Sequence, residues 1–216
     1  MILIFDVETN GLATRKESEL NKIESPRLLE IAWRLYDYDK TLQEEKHFFV
    51  YHDNLEVTSE CFNINGISQE YLQNYGTDFK SILIEFKNVL SRSNILVGHN
   101  LEFDISVIQG EFSRQNMMLL LDSKQRICTM KSSTEYCGIS SNWGLKYPTL
   151  AELFTFIFNE LPLNEHSAFN DVKTTSRCFW HLSDNRIVNY FANQPLYQPD
   201  KSIRSWSYEP DSLMEI

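Results

Sequence analysis

The chain opens on an apolar run, Met1 to Phe5, that passes directly into "DVE". No other feature restricts the fold as strongly. The run reads as a buried strand, which needs packing layers around it. At its end Asp6 and Glu8 flank Val7. Residues two apart in extended chain point the same way, so both carboxylates reach one region of space. Two close anions need compensation, and a divalent cation supplies it best. Alone, an Asp-x-Glu at a strand end is weak evidence, because acidic residues end many strands.

The remaining elements follow from periodicity. Residues 9–27 are polar and read as a long loop. In "RLLEIAWRLYDYD", Leu29, Ile31, Trp33 and Leu35 share one face, as in a half-buried strand. "LQEEKHFFVYHD" reads as its antiparallel neighbour across a tight turn at Asp39 and Lys40, followed by a loop containing "INGIS". Phe79, Ile82, Leu83, Phe86, Val89 and Leu90 form a helical stripe, with Thr77 as its cap. "NILVGHN" is a short strand ending in a polar turn, and "LEFDISVIQGEFSRQN" an amphipathic helix. A short last strand falls within 119–130, a helix follows Thr149, and another runs from Ala168 to about His181. Three strands and then strand–helix units is the order of an α/β layered sheet, with helices on both faces and ligand at the strand ends. The expected domain is 1–190. Residues 191–216 carry three of the six prolines and read as a tail, packed over the domain or mobile.

Composition narrows the class. With 216 residues, 42% of them hydrophobic, the chain suits one ordinary domain. No apolar run approaches the roughly 18–20 residues that cross a bilayer, and the N-terminus lacks the basic start of a signal peptide. The expectation is a cytoplasmic protein with no membrane partner. Cys61, Cys128, Cys137 and Cys178 form no CxxC pair and read as free thiols. Cys178 and His181 have the spacing of half a zinc site, but Cys128 and Cys137 do not complete it, so core thiols are the better reading. A net charge of −10 argues against a broad nucleic-acid-coating surface. It leaves room for an enzyme that grips a strand end, where bound cations reverse the local field.

Two further acids match the first pair. In "GHNLEFDISVI", Asp104 lies in the opening turns of a helix beside Phe103. In "NEHSAFNDVKTT", Asp171 lies in the first turn of the last helix, where a carboxylate suits the positive helix end. His166 stands five residues before it. Each acid falls where a strand ends or a helix begins, which in an open α/β sheet can be one edge. Four carboxylates suit two Mg²⁺ or Mn²⁺ ions, as phosphodiester hydrolysis uses them. A histidine with an ordinary pKa near 6.5 can take a proton from the attacking water.

"FDVETNGL", "HNLEFDISVI" and "HSAFND" together resemble the three motifs of the DnaQ-like 3′→5′ exonucleases, in order and spacing, over about residues 1–185. The resemblance implies a ribonuclease H-like fold with a central five-stranded mixed sheet flanked by helices. It implies that Asp6, Glu8, Asp104 and Asp171 bind two Mg²⁺ or Mn²⁺ ions. His166 is then the general base of the histidine branch, since Ser167 occupies the place of the tyrosine branch. Thr9, Gly11, Leu12, Asn65 and Phe103 are implied substrate contacts, Leu12 as a wedge and Asn65 near the terminal base. Thr9-Asn10-Gly11 departs mildly from the family's Thr-Thr-Gly, and the polar insertion 13–27 is longer than compact members need. The implied activity is release of nucleoside 5′-monophosphates from the 3′ end of single-stranded DNA or RNA. A polymerase or a second copy of the chain is a possible partner. The contrasting expectation is an idle nucleic-acid-binding module of the same fold, or a polymerase accessory subunit.

Overall fold

The structure is a computed structural model and describes residues 1–11, 14–15, 23–24, 26–53, 55–119, 121, 123–162 and 167–190. In chain order the strands and helices are β1 (Ile2–Thr9), β2 (Thr14–Arg15), β3 (Ile23–Glu24), β4 (Leu28–Tyr36), β5 (Leu42–Tyr51), α1 (Ser59–Asn65), α2 (Gln69–Tyr75), β6 (Thr77–Asp78), α3 (Phe79–Arg92) and β7 (Ile95–Gly98). There follow α4 (Leu101–Arg114), β8 (Gln125–Cys128), the single turns α5 (Thr129–Ser132) and α6 (Thr134–Cys137), the ribbon β9 (Ser140–Ser141) and β10 (Gly144–Leu145), α7 (Leu150–Phe158) and α8 (Ala168–Asp184).

The apolar opening run does form a buried strand. β1 lies inside a sheet of order β6-β5-β4-β1-β7-β8. It is antiparallel to β4 and parallel to β7. The α/β class of the ribonuclease H-like expectation holds, but the sheet has six strands rather than five. The extra strand is β6, where Thr77 and Asp78 pair with Val50 and Tyr51. Two residues have no periodicity to detect. Thr77 is therefore not the cap of α3: Asp78 is, its carboxylate accepting from the Ser81 amide.

One face of the sheet is covered by α3 and α4, through Phe79, Phe86, Ile105 and Phe112 against Phe5, Ile31 and Trp33. Phe86 meets Phe5 and Trp33 edge-on, at centroid distances of 5.3 and 5.6 Å. The other face is covered by α7 and α8, through Leu153, Phe154, Cys178, Phe179 and Leu182 against Ile2, Ile4 and Val97. This corrects the half-buried reading of β4, which is buried on both faces. Ala32 is fully buried against Ala168 and Val172 of α8. That cover comes from a helix over 130 residues away in sequence, so β4's own alternation cannot announce it.

The "INGIS" segment is not simply a loop. Asn65 ends α1, and Gly66 closes it in the left-handed region at φ 69°, which glycine takes without strain. α2 starts three residues later, at Gln69, capped by Ser68. α7 carries the expected Thr149 cap as a full capping box with Glu152. α8 runs to Asp184, beyond His181. Cys178 is fully buried in the core, and burial pushes its thiol up to about 12, which suits a core residue and not a zinc ligand. Within 9–27, β1 extends to Thr9, and the backbones of β2 and β3 pair. The tail 191–216 lies outside the described residues. No helix among the described residues is long and apolar enough to cross a membrane.

Candidate active site

Strand direction decides where the acids meet. β1 and β7 are parallel, so Asp6 and Glu8 end at the same sheet edge as the turn that leads into α4. β4 is antiparallel, so its first residues lie at that edge too. Asp6 faces Ala32 in the ladder, and Ala32 touches the first turn of α8. The small Ala32–Ala168 contact brings α8 close to the sheet, and Asp171 is carried in with it. Ligand oxygens of Asp6, Glu8 and Asp171 all lie within 4.8 Å of one another. No other such group of three metal-ligating side chains occurs among the described residues.

Asp104 arrives from the opposite layer. β1 pairs with β7 only as far as Ile4, so the amide of Val7 finds no strand partner on that side. The buried Asp104 carboxylate accepts it at 3.2 Å. The fourth acid is thereby locked to the residue between Asp6 and Glu8.

The cluster is electrostatically unbalanced. Burial first, then the charges of Asp104, Asp171, Glu8 and Glu30, raises the Asp6 carboxyl well above its ordinary range. Burial and the charges of Glu30 and Asp171 push Glu8 up to about 8. Asp104 is also raised, by burial against the opposing pull of the Val7 amide. Among the described residues no ion pair reaches Asp6, Glu8 or Asp104. A set of hard oxygen donors with excess negative charge and a mutual spacing under 5 Å fits a divalent cation of the Mg²⁺ or Mn²⁺ kind.

The implied substrate contacts divide. The Thr9 hydroxyl donates to the Gly11 carbonyl at 2.7 Å and shapes the loop after β1. Asn65 lies beneath that loop: its amide donates to the Thr9 carbonyl at 3.2 Å and accepts from Ile67 at 3.0 Å. Both ends of the Asn65 amide are thus engaged within the protein. Phe103 is part-buried against the core beside Asp104. Leu12 and His166 lie outside the described residues.

Glu30 and His99 are not among the residues that the sequence motifs single out, and Asn10 has a role that the motif does not announce. Glu30 is 1% exposed, opposite Glu8 in the ladder. An acid inside the apolar run "LLEIAW" was the legible signal. Asn10 clasps Arg27 in both directions, accepting from its amide at 2.7 Å and donating to its carbonyl at 3.0 Å. The departure from Thr-Thr-Gly therefore closes the base of the insertion. His99, in the turn before α4, bridges Thr129 and the Pro148 carbonyl at 3.0 Å each.

The sequence matches the model of the RNase T exonuclease family over residues 3–179. The chain belongs to this exonuclease family. No curated protein matches it by sequence. Among solved structures it is similar to exonuclease X in complex with 5′ overhanging duplex DNA, at 19% identity and a TM-score of 0.57, covering 86% of this chain and 92% of that one. It is also similar to E. coli exonuclease I in complex with a 5cy-dT13 oligonucleotide, at 17% identity and a TM-score of 0.68, covering 86% of this chain and 41% of that one. A complex of exonuclease I described as ExoI/SSB-Ct gives 16% identity and a TM-score of 0.66. This exonuclease-family chain spans about two-fifths of exonuclease I. At such identities the likeness to these structures is one of fold.

Proposed function

We propose that the chain is a divalent-metal-dependent 3′→5′ exonuclease that releases nucleoside 5′-monophosphates from single-stranded DNA or RNA ends. The observation that carries this reading is the meeting of Asp6, Glu8 and Asp171 within 4.8 Å, in a chain of the exonuclease family. Asp6, Glu8 and Asp171 would hold the two Mg²⁺ or Mn²⁺ ions, with Asp104 as the fourth acid. The ions, when bound, neutralise the phosphate and favour both water attack and departure of the 3′ oxygen.

The chain's own residues do the rest. His166, adjacent to the N-cap of α8, takes the proton of the attacking water. The water oxygen forms the new bond to phosphorus, the bond to the 3′ oxygen breaks, and that oxygen leaves with the shortened strand. Thr9, Gly11 and Leu12 line the terminal nucleotide, Asn65 fixes the shape of their loop, and Phe103 packs beside it. The net charge of −10 keeps binding local to the strand end.

Digestion of matched single-stranded DNA, RNA and duplexes with 3′ overhangs tests the reading, with EDTA as control. Stepwise loss from the 3′ end, 5′-monophosphate products and full EDTA inhibition are expected. Mn²⁺ binding without cleavage of any strand would instead identify an idle binding module. Cleavage from the 5′ end alone would overturn the polarity.

A further inference from the structure

Serine at a helix N-cap ordinarily turns its hydroxyl onto the helix's own first-turn amides. Ser167, the N-cap of α8, does not: its side chain makes no capping bond. The hydroxyl donates instead to Glu30 Oε1 at 3.0 Å, across the sheet face. His47 Nε2 reaches the same oxygen at 2.7 Å from β5. The His47 ring in turn stacks on Phe169, with centroids 4.9 Å apart and planes 10° from parallel, and the Lys173 ammonium covers that Phe169 ring at 3.6 Å. A buried acid has thus been placed beside a cluster of acids, where its charge opposes folding of the site. Its contacts converge on one object, the first turn of α8.

We propose that Glu30 is a positioning residue that sets Asp171 against Asp6 and Glu8. Ser167 links the two, because its carbonyl accepts the Asp171 amide at 2.9 Å. Glu30 holds Ser167, Ser167 holds the turn, and the turn aims the Asp171 carboxylate. His47 aligns Glu30 and, through Phe169, clamps the same turn from the β5 side. This inference rests on the metal-site reading above for its functional consequence, but the positioning itself does not require a metal.

Two readouts separate the levels. The first is hydrogen exchange of the metal-free protein. Glu30→Ala and Ser167→Ala should speed exchange at the Asp171 and Val172 amides and leave those of Cys178 to Leu182 unchanged. The second is Mn²⁺ titration by calorimetry. Glu30→Ala should weaken binding about tenfold or more, the scale for losing an outer-shell partner. Glu30→Gln, which keeps the accepting oxygen, should stay within about threefold of the unmodified protein. Glu30→Ala with Ser167→Ala should be no worse than Glu30→Ala alone, because they break one linkage. Exchange that is unchanged, or that rises equally along α8, overturns the proposal, as does a Glu30→Gln protein as impaired as Glu30→Ala. If the unmodified protein binds no Mn²⁺, the metal-site reading fails, while the exchange data still decide the positioning.

Discussion

Asp171 shows how one side chain serves two demands. In the first turn of α8 its carboxylate suits the positive end of the helix. It also lies within 4.8 Å of Asp6 and Glu8, and its charge helps to raise both of their carboxyls. Replacing it by Asn keeps the shape and removes a ligand charge. The expected result is loss of most exonuclease activity, by at least a hundredfold, with the unfolding midpoint in urea unchanged or raised. Near-full activity would show that Asp171 is not part of the metal site. His166 has a different expectation. His166→Ala should lower kcat by about 10²–10⁴, the usual range for a lost general base, with Mn²⁺ affinity within about twofold. Loss of Mn²⁺ binding would make His166 a ligand rather than a base. Glu8 and Asp104 differ in a way that their sequence positions do not reveal: Asp104 spends one oxygen on the Val7 amide.

At the scale of elements, the loop after β1 and the start of β4 behave as one unit. Glu111 of α4 is fully buried, and its Oε1 accepts from Arg27 Nε and from the Leu28 amide at 2.9 Å each. His52 closes the other side, accepting from Arg27 at Nδ1 and donating from Nε2 to the Leu28 carbonyl at 2.7 Å. That tautomer is neutral, in keeping with a pKa lowered chiefly by burial. Just beyond, the β1–β4 register shifts so that Thr9 faces Leu28 and Leu29 has no partner. Such a bulge re-aims side chains. Leu29 packs with Leu55, Ile67 and Leu72 below the site, and Glu30 points toward Ser167. Glu111→Ala leaves Arg27 Nε and the Leu28 amide without their acceptor. It should cost about 3 kcal/mol, read as a lower urea midpoint at constant slope. A cost under about 1 kcal/mol would show that the network is dispensable.

Across the whole molecule, two titrations act in opposite directions. Burial lowers the half-buried His99 imidazole to about 4 from its ordinary 6.5. As pH falls below 6.5 the unfolded chain protonates first, so stability present above pH 6.5 is lost progressively down to about pH 4. The loss reaches about 3 kcal/mol by pH 4. Glu8 works the other way: its folded pKa of about 8 means that the folded protein takes up the proton first as pH falls from 8, which gains stability. The two are separable by comparing urea midpoints at pH 7 and pH 5 for the unmodified protein and His99→Gln. Over that interval the change in stability of the unmodified protein should be less favourable than that of the variant, since only the former carries the His99 loss on top of the Glu8 gain. An equal change in both would remove His99 from the account.

Sequence alone carried the class of this chain. The unbroken run to Phe5 called for a central strand, the stripe from Phe79 to Leu90 called for a helix, and Asp6, Glu8, Asp104 and Asp171 stood in a recognisable order. Those signals are carried segment by segment: each strand, helix or acid motif is legible from the residues of its own segment. What the sequence could not carry were relations set by packing between distant segments. The burial of both faces of β4 depends on α8, and the two-residue strand β6 exists only because Val50 and Tyr51 lie beside it. The diversion of the Ser167 hydroxyl from its own helix to Glu30 belongs to the same class. In each case the partner lies elsewhere in the chain, and only the closing of the layers decides which groups meet.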